Sequence, residues 1–112
     1  MEIKNQGRSS IGMEANLAAL LSYLLGFITG IIFYSLEKEN KFVRFHAMQS
    51  IVAFASLFVL DIVLKLLPFV GWALASLLGI LSIILWVILM FKAYQGEYFK
   101  LPFAGRIAEQ NS

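Results

Sequence analysis

The sequence predicts an all-α integral membrane protein: a three-helix bundle with spans at about 15–36, 46–67 and 72–94, and an interfacial C-terminal segment. Three observations carry this. Of the 112 residues, 60% are hydrophobic and 14% charged, against about 45–50% and about 25% in an ordinary soluble domain. The apolar residues are gathered into long runs, so too little polar sequence remains to clothe a water-facing surface. The basic residues flank those runs, the usual pattern at a membrane boundary.

The same composition narrows function. With no cysteine there is neither a disulfide framework nor a thiolate metal site. A single histidine and few carboxylates give no basis for an intrinsic zinc or haem site, and no cofactor is expected. The net charge of +2 sits at the ends of apolar runs, which points to lipid headgroups and not to nucleic acid.

Residues 1–13 form a short polar tail with Lys4 and Arg8, expected to be disordered or to lie along the interface. The run over 15–36 has 22 residues, longer than a signal-peptide core, and no small-x-small cleavage site follows it, so it reads as a retained span. At 1.5 Å per residue it reaches roughly 33 Å, enough for a hydrocarbon core of about 30 Å. Ala18, Ser22, Gly26 and Gly30 recur every four residues along it and include a GxxxG. Such a stripe lets another helix approach closely. Internal packing on the second or third helix comes first, because a three-helix protein must bury this face before it can share it; a homodimer seam is the alternative.

The stretch from Glu37 to Gln49 holds the densest charge between the first and last apolar runs and the only histidine, His46. It reads as the point where the chain leaves the membrane and returns. Along the second span, His46, Gln49, Ser50, Ala53, Ser56, Asp61 and Lys65 fall within about half the helix circumference, and Ile51, Val52, Phe58, Val59 and Ile62 lie opposite. The polar half should face protein or a wet cavity. Asp61 and Lys65 are spaced to pair on one helix. Ionisable residues in a membrane are functional candidates; here the structural alternative is that Lys65, close to Pro68, snorkels to the interface and takes Asp61 with it.

Leu67-Pro68-Phe69-Val70-Gly71 is a turn, since proline cannot continue the helix and glycine permits reversal. Trp72 opens the third span as an interfacial anchor, and Ala75, Gly79, Ser82, Trp86 and Ala93 share a face. Beyond it, residues 96–112 alternate aromatic, basic and apolar side chains with glycine and proline, as suits the headgroup region. The chain thus divides into a tail (1–13), a bundle (14–95) and a C-terminal segment (96–112). Three spans place Lys4, Arg8 and Lys65 on one side and Lys38, Lys41, Arg44, Lys92, Lys100 and Arg106 on the other. The positive-inside rule then puts the central loop and C-terminus in the cytoplasm and the N-terminus outside the plasma membrane.

The block Asn40-Lys41-Phe42-Val43-Arg44-Phe45-His46-Ala47-Met48-Gln49-Ser50, with Gly96-Glu97-Tyr98-Phe99-Lys100-Leu101-Pro102-Phe103 and Ala108-Glu109 downstream, resembles a small prokaryotic membrane-protein family. That family is related to the twenty-kilodalton Tic subunit of the chloroplast inner envelope. The resemblance implies a polytopic helical protein, and through the plastid relatives a link to protein import; it brings no catalytic residues. Arg44, Phe45, His46 and Gln49 are its motif positions in this chain. They invite two readings. Arg44 and His46 could meet an anionic lipid or a partner's carboxylate; alternatively Arg44 snorkels while His46 and Gln49 hydrogen-bond to the loop or first helix.

No nucleophile and base stand at useful spacing and no metal set is present, so an enzyme is not expected. The expected function is a helix-packing or partner-binding module, a subunit of a translocation-like assembly, whose partners are membrane lipids and a second copy or another membrane protein. The alternative is an oligomeric channel or small transporter with a polar path along the second helix.

Overall fold

A computed structural model describes residues 3–112. Its elements are α1 (Ala15–Leu21), α2 (Phe27–Leu36), α3 (Lys41–Lys65), α4 (Gly71–Tyr94) and α5 (Ala104–Gln110), so the all-α expectation holds. Two of them, α3 and α4, are long and apolar enough to cross a membrane. Asn40 starts α3 as its N-cap, its side chain accepting from the Val43 N–H at 3.1 Å. After Lys65, Pro68 prevents continuation, and α4 begins at Gly71.

The first apolar run departs from expectation. It is not one span over 15–36 but two short helices broken at residues 22–26. Gly26 causes the reversal: its φ of 62° and ψ of −135° form a conformation open mainly to glycine. α1 descends along α4. Asn16 Nδ2 donates to the Tyr94 carbonyl at 2.8 Å, and seven residues on, the Tyr23 carbonyl accepts from Trp86 Nε1 at 2.7 Å. α2 then returns along α3, with the Gly26 carbonyl accepting from Ser50 Oγ at 2.8 Å and the Glu37 carbonyl from Arg44 Nη1 at 2.7 Å. At 1.5 Å per residue the two helices are only about 10 and 15 Å long, half a hydrocarbon core. They form a re-entrant hairpin whose tip stops beside Ser50 and Phe54, midway along α3.

Backbone outside a helix survives at membrane depth only where protein satisfies it. Here Thr29 Oγ1 accepts from the Leu25 N–H at 3.1 Å and donates to the Ser22 carbonyl at 3.1 Å, while Ser50 and Trp86 cover Gly26 and Tyr23.

The hairpin changes the disposition of the ends. The tail, expected to be disordered or interfacial, is held from residue 3 onward; residues 1–2 lie outside the described residues. Lys4 N–H donates to the Gln95 carbonyl at 2.7 Å, Gln6 Nε2 to Gly96 at 2.7 Å, and Asn40 Nδ2 to Gln6 and Arg8 at 3.1 and 3.2 Å. Tail, 37–40 loop and C-terminal segment therefore meet at one end, called proximal below, and the Pro68 turn stands at the other. The tail and the C-terminal segment lie at the same end of the molecule, because the first run doubles back at Gly26.

The buried core follows the same division. Ala15, Ala18, Ala19, Tyr23, Phe42, Val43, Leu89 and Ala93 all lie in the proximal half. In the distal half α3 and α4 stand alone, with Phe58 55%, Ile83 62% and Phe69 100% exposed, a surface that suits lipid.

Candidate functional site

The motif residues build a polar cluster at the proximal end of α3. His46 and Gln49, one helical turn apart, both point at residues 97–101, an extended strap without helix or strand. His46 Nε2 lies 2.8 Å from the Glu97 carbonyl, which can only accept, so Nε2 carries a proton. Its Nδ1 lies 2.6 Å from the Tyr23 hydroxyl, and Gln49 Nε2 donates to that same hydroxyl oxygen at 2.9 Å. Tyr23 therefore donates its O–H in a hydrogen bond to Nδ1, and the neutral imidazole is fixed in one tautomer by its neighbours. Gln49 completes the clasp, donating to the Phe99 carbonyl at 2.8 Å and accepting from the Leu101 N–H at 2.9 Å. Phe42 and Phe45 stand edge-on to the imidazole, Tyr98 stacks on it with ring centres 6.4 Å apart, and both phenylalanines also pack against Tyr98.

His46, Gln49 and Phe45 are almost completely buried. The expectation that His46 contacts an anionic lipid or partner is thereby corrected: its nitrogens face Tyr23 and the strap, not the headgroups. Arg44 is likewise committed. It donates to the Tyr34 and Glu37 carbonyls at 3.2 and 2.7 Å and lies 4.1 Å from the centre of the Tyr34 ring, holding the C-terminal end of α2 where a cation is favoured.

Glu37, one charge among several in the stretch from Glu37 to Gln49, is a buried carboxylate. It accepts from the Ser10, Glu39 and Asn40 N–H groups at 2.8, 3.1 and 2.9 Å and from the Ser10 hydroxyl, joining the tail to the start of α3. Burial alone would raise its pKa, but these hydrogen bonds outweigh it and hold the carboxyl below the usual range.

Of the expected packing stripe, Ala18, Ser22 and Gly30 are buried inside the molecule. A Cβ on Gly30 would stand 2.9 Å from the Ala47 carbonyl and 3.1 Å from Ser50, so α2 meets α3 there at closest approach. Gly26 makes the turn. Ala18, Ser22 and Gly30 thus pack within the chain. Asp61 and Lys65 do pair, at 3.0 Å, and Lys65 lies 5.0 Å from the Trp72 ring. They sit apart from the motif cluster, about one-third exposed at the distal end. Below the hairpin tip, an open notch of about 300 Å³ is lined by Gly26, Phe27, Phe54, Asp61, Gly79 and Ser82. Among the described residues, a Cβ on Gly79 would meet nothing within 4 Å.

Among the described residues, no buried side-chain nitrogen or oxygen lacks a partner, and no group of three or more His, Cys, Asp or Glu gathers to hold a metal ion. His46, Gln49 and Ser50, the proximal members of the expected polar path, are engaged in internal bonds.

The sequence profile of the magnetosome magnetite crystal formation protein family, MamF/MmsF, matches residues 8–108. The chain belongs to that family. Relatives of this MamF/MmsF member include a UPF0132 membrane protein of Methanocaldococcus jannaschii, 54% identical over 106 residues, covering 95% of this chain and 96% of the relative. Another, from Archaeoglobus fulgidus, is 52% identical over 98 residues, covering 88% and 95%. No solved structure matches the MamF/MmsF member described here. The blocks at 40–50 and 96–103 lie within the matched span, and what they match is MamF/MmsF. The resemblance to the Tic-related family is corrected accordingly, and the import role it implied is set aside. With two helices able to span and archaeal relatives named as membrane proteins, the MamF/MmsF member is a membrane protein.

Proposed function

We propose that the protein is a non-enzymatic packing module of the cell membrane, which binds a second copy of itself through the distal halves of α3 and α4. The observation that carries this is Gly79. The stripe on α1 and α2 is filled by the protein's own helices, whereas Gly79 faces an open notch beside Asp61 and Ser82. Close approach of small residues is the main route to helix association in lipid, where burial of apolar surface drives little. Ala75, one turn before Gly79, extends the same small-residue face, although it is itself buried in the monomer.

The orientation that fits this reading has tail, central loop and C-terminus all in the cytoplasm. Lys4, Arg8, Lys38, Lys41, Arg44, Lys92, Lys100 and Arg106 belong to the proximal end and only Lys65 to the distal one. This is a far larger bias than three separate spans would give.

Oligomeric state in nanodiscs tests the packing proposal. The full chain is expected to form a dimer that Gly79→Leu dissociates while leaving the fold unchanged, since the added side chain has room in the monomer. A full chain that is strictly monomeric, or a dimer indifferent to Gly79→Leu, contradicts it.

A further inference from the structure

The two halves of this molecule along the membrane normal differ in cross-section. In the proximal half four helices, α1 to α4, stand side by side, and the strap and α5 lie against them. In the distal half there are two. The division is sharp because the hairpin tip is fixed at mid-depth: Ser50 and Trp86 bond its carbonyls, Thr29 ties its two arms together, and Gly30 locks α2 on α3. With a helix about 10–12 Å across, each contributes about 100 Å² to a leaflet, so the proximal leaflet accommodates roughly twice the area of the distal one. The hairpin arms present Leu25, Ile28, Ile31 and Ile32 outward, more than two-fifths exposed, so this added area is in contact with acyl chains and displaces lipid from one leaflet only.

We propose that the protein is a leaflet-selective wedge: it favours, and at high density produces, membrane that is convex on the side carrying its termini. A body that is broad in one leaflet and narrow in the other relieves packing stress where the broad leaflet is the outer, expanded one. The basic residues add to this at the same face, since headgroup attraction holds the strap and tail at the surface of the expanded leaflet. The wedge rests on the re-entrant hairpin and not on self-association. A symmetric dimer formed through the distal halves has the same ratio of areas in the two leaflets as a monomer, so failure of the dimer leaves the wedge standing.

The test reads orientation against curvature. The full chain carrying Ser112→Cys, and separately Phe69→Cys, is reconstituted into small and large phosphatidylcholine vesicles under one detergent-removal protocol. Labelling with a membrane-impermeant thiol reagent before and after lysis gives the outward fraction of each end; the chain has no cysteine of its own. The expected result is that the ratio of outward to inward Ser112→Cys is several-fold higher in small vesicles than in large ones, with Phe69→Cys showing the reverse. Any bias from the detergent procedure is common to both sizes and cancels in the comparison. The same ratio at both sizes, or enrichment of outward Phe69→Cys in the small vesicles, overturns the proposal.

Discussion

Gln49 makes more of the proximal structure than its polarity suggests, because one amide satisfies three groups from two distant parts of the chain. Gln49→Leu leaves the Phe99 carbonyl and the Leu101 N–H without partners in a buried setting. With about 1–3 kcal/mol lost per unsatisfied group, it should destabilise the protein by on the order of 3 kcal/mol in a denaturant titration in bicelles. Hydrogen exchange at Leu101 should accelerate by the same argument, whereas a merely surface role for Gln49 would leave that amide protected. Glu37 gives a pH signature. Its folded pKa is depressed, so its contribution is fully present above the unfolded value of about 4.3 and is lost as pH falls through the lower folded value. Protection of the Ser10 N–H should therefore weaken on acidification below that range, and Glu37→Gln should flatten the response. A tail whose protection is unchanged across the acid range would contradict this role. The sequence marked Arg44, His46 and Gln49 as the place to look, because polar residues opening an apolar helix stand out. Tyr23 and the strap carbonyls were not legible, since their contacts cross 23 to 52 positions and leave no spacing to read.

At the scale of elements, the hairpin hinges on how α2 lies against α3. Gly30→Leu must push α2 off Ala47 and Ser50. Overpacking of this kind costs typically 1–3 kcal/mol, and loss of the close helix contact adds to it. The same substitution at Gly79, where space is open, should be close to neutral for monomer stability. Thermal unfolding of the two variants side by side checks the contrast, and equal effects would contradict the assigned packing. Helices α3 and α4 were plain from length, flanking charge and the Pro68 turn. The break in the first run was not, for a physical reason: 22 apolar residues suffice either for one full crossing or for two half-depth helices, and hydropathy cannot distinguish them. Gly26 read equally well as part of a packing GxxxG, and only its left-handed backbone shows it to be the reversal.

For the molecule as a whole, that one glycine decides the topology. A continuous first span would place tail and C-terminus at opposite ends of the molecule; the hairpin places them together at one end and leaves the Pro68 turn at the other. The tail then has structural work at the proximal end, bonding to Gln95, Gly96 and Asn40, which a segment on the far side could not do. The basic residues, divided three against six under three spans, gather almost entirely at one face. The proposed orientation and the proposed wedge both rest on this arrangement. Single-cysteine accessibility in intact and permeabilised cells tests it most directly, using Asn5→Cys, Phe69→Cys and Ser112→Cys in a chain that lacks native cysteine. Asn5→Cys and Ser112→Cys are expected to react only after permeabilisation, while Phe69→Cys reacts in intact cells. Asn5→Cys behaving like Phe69→Cys and unlike Ser112→Cys would contradict it.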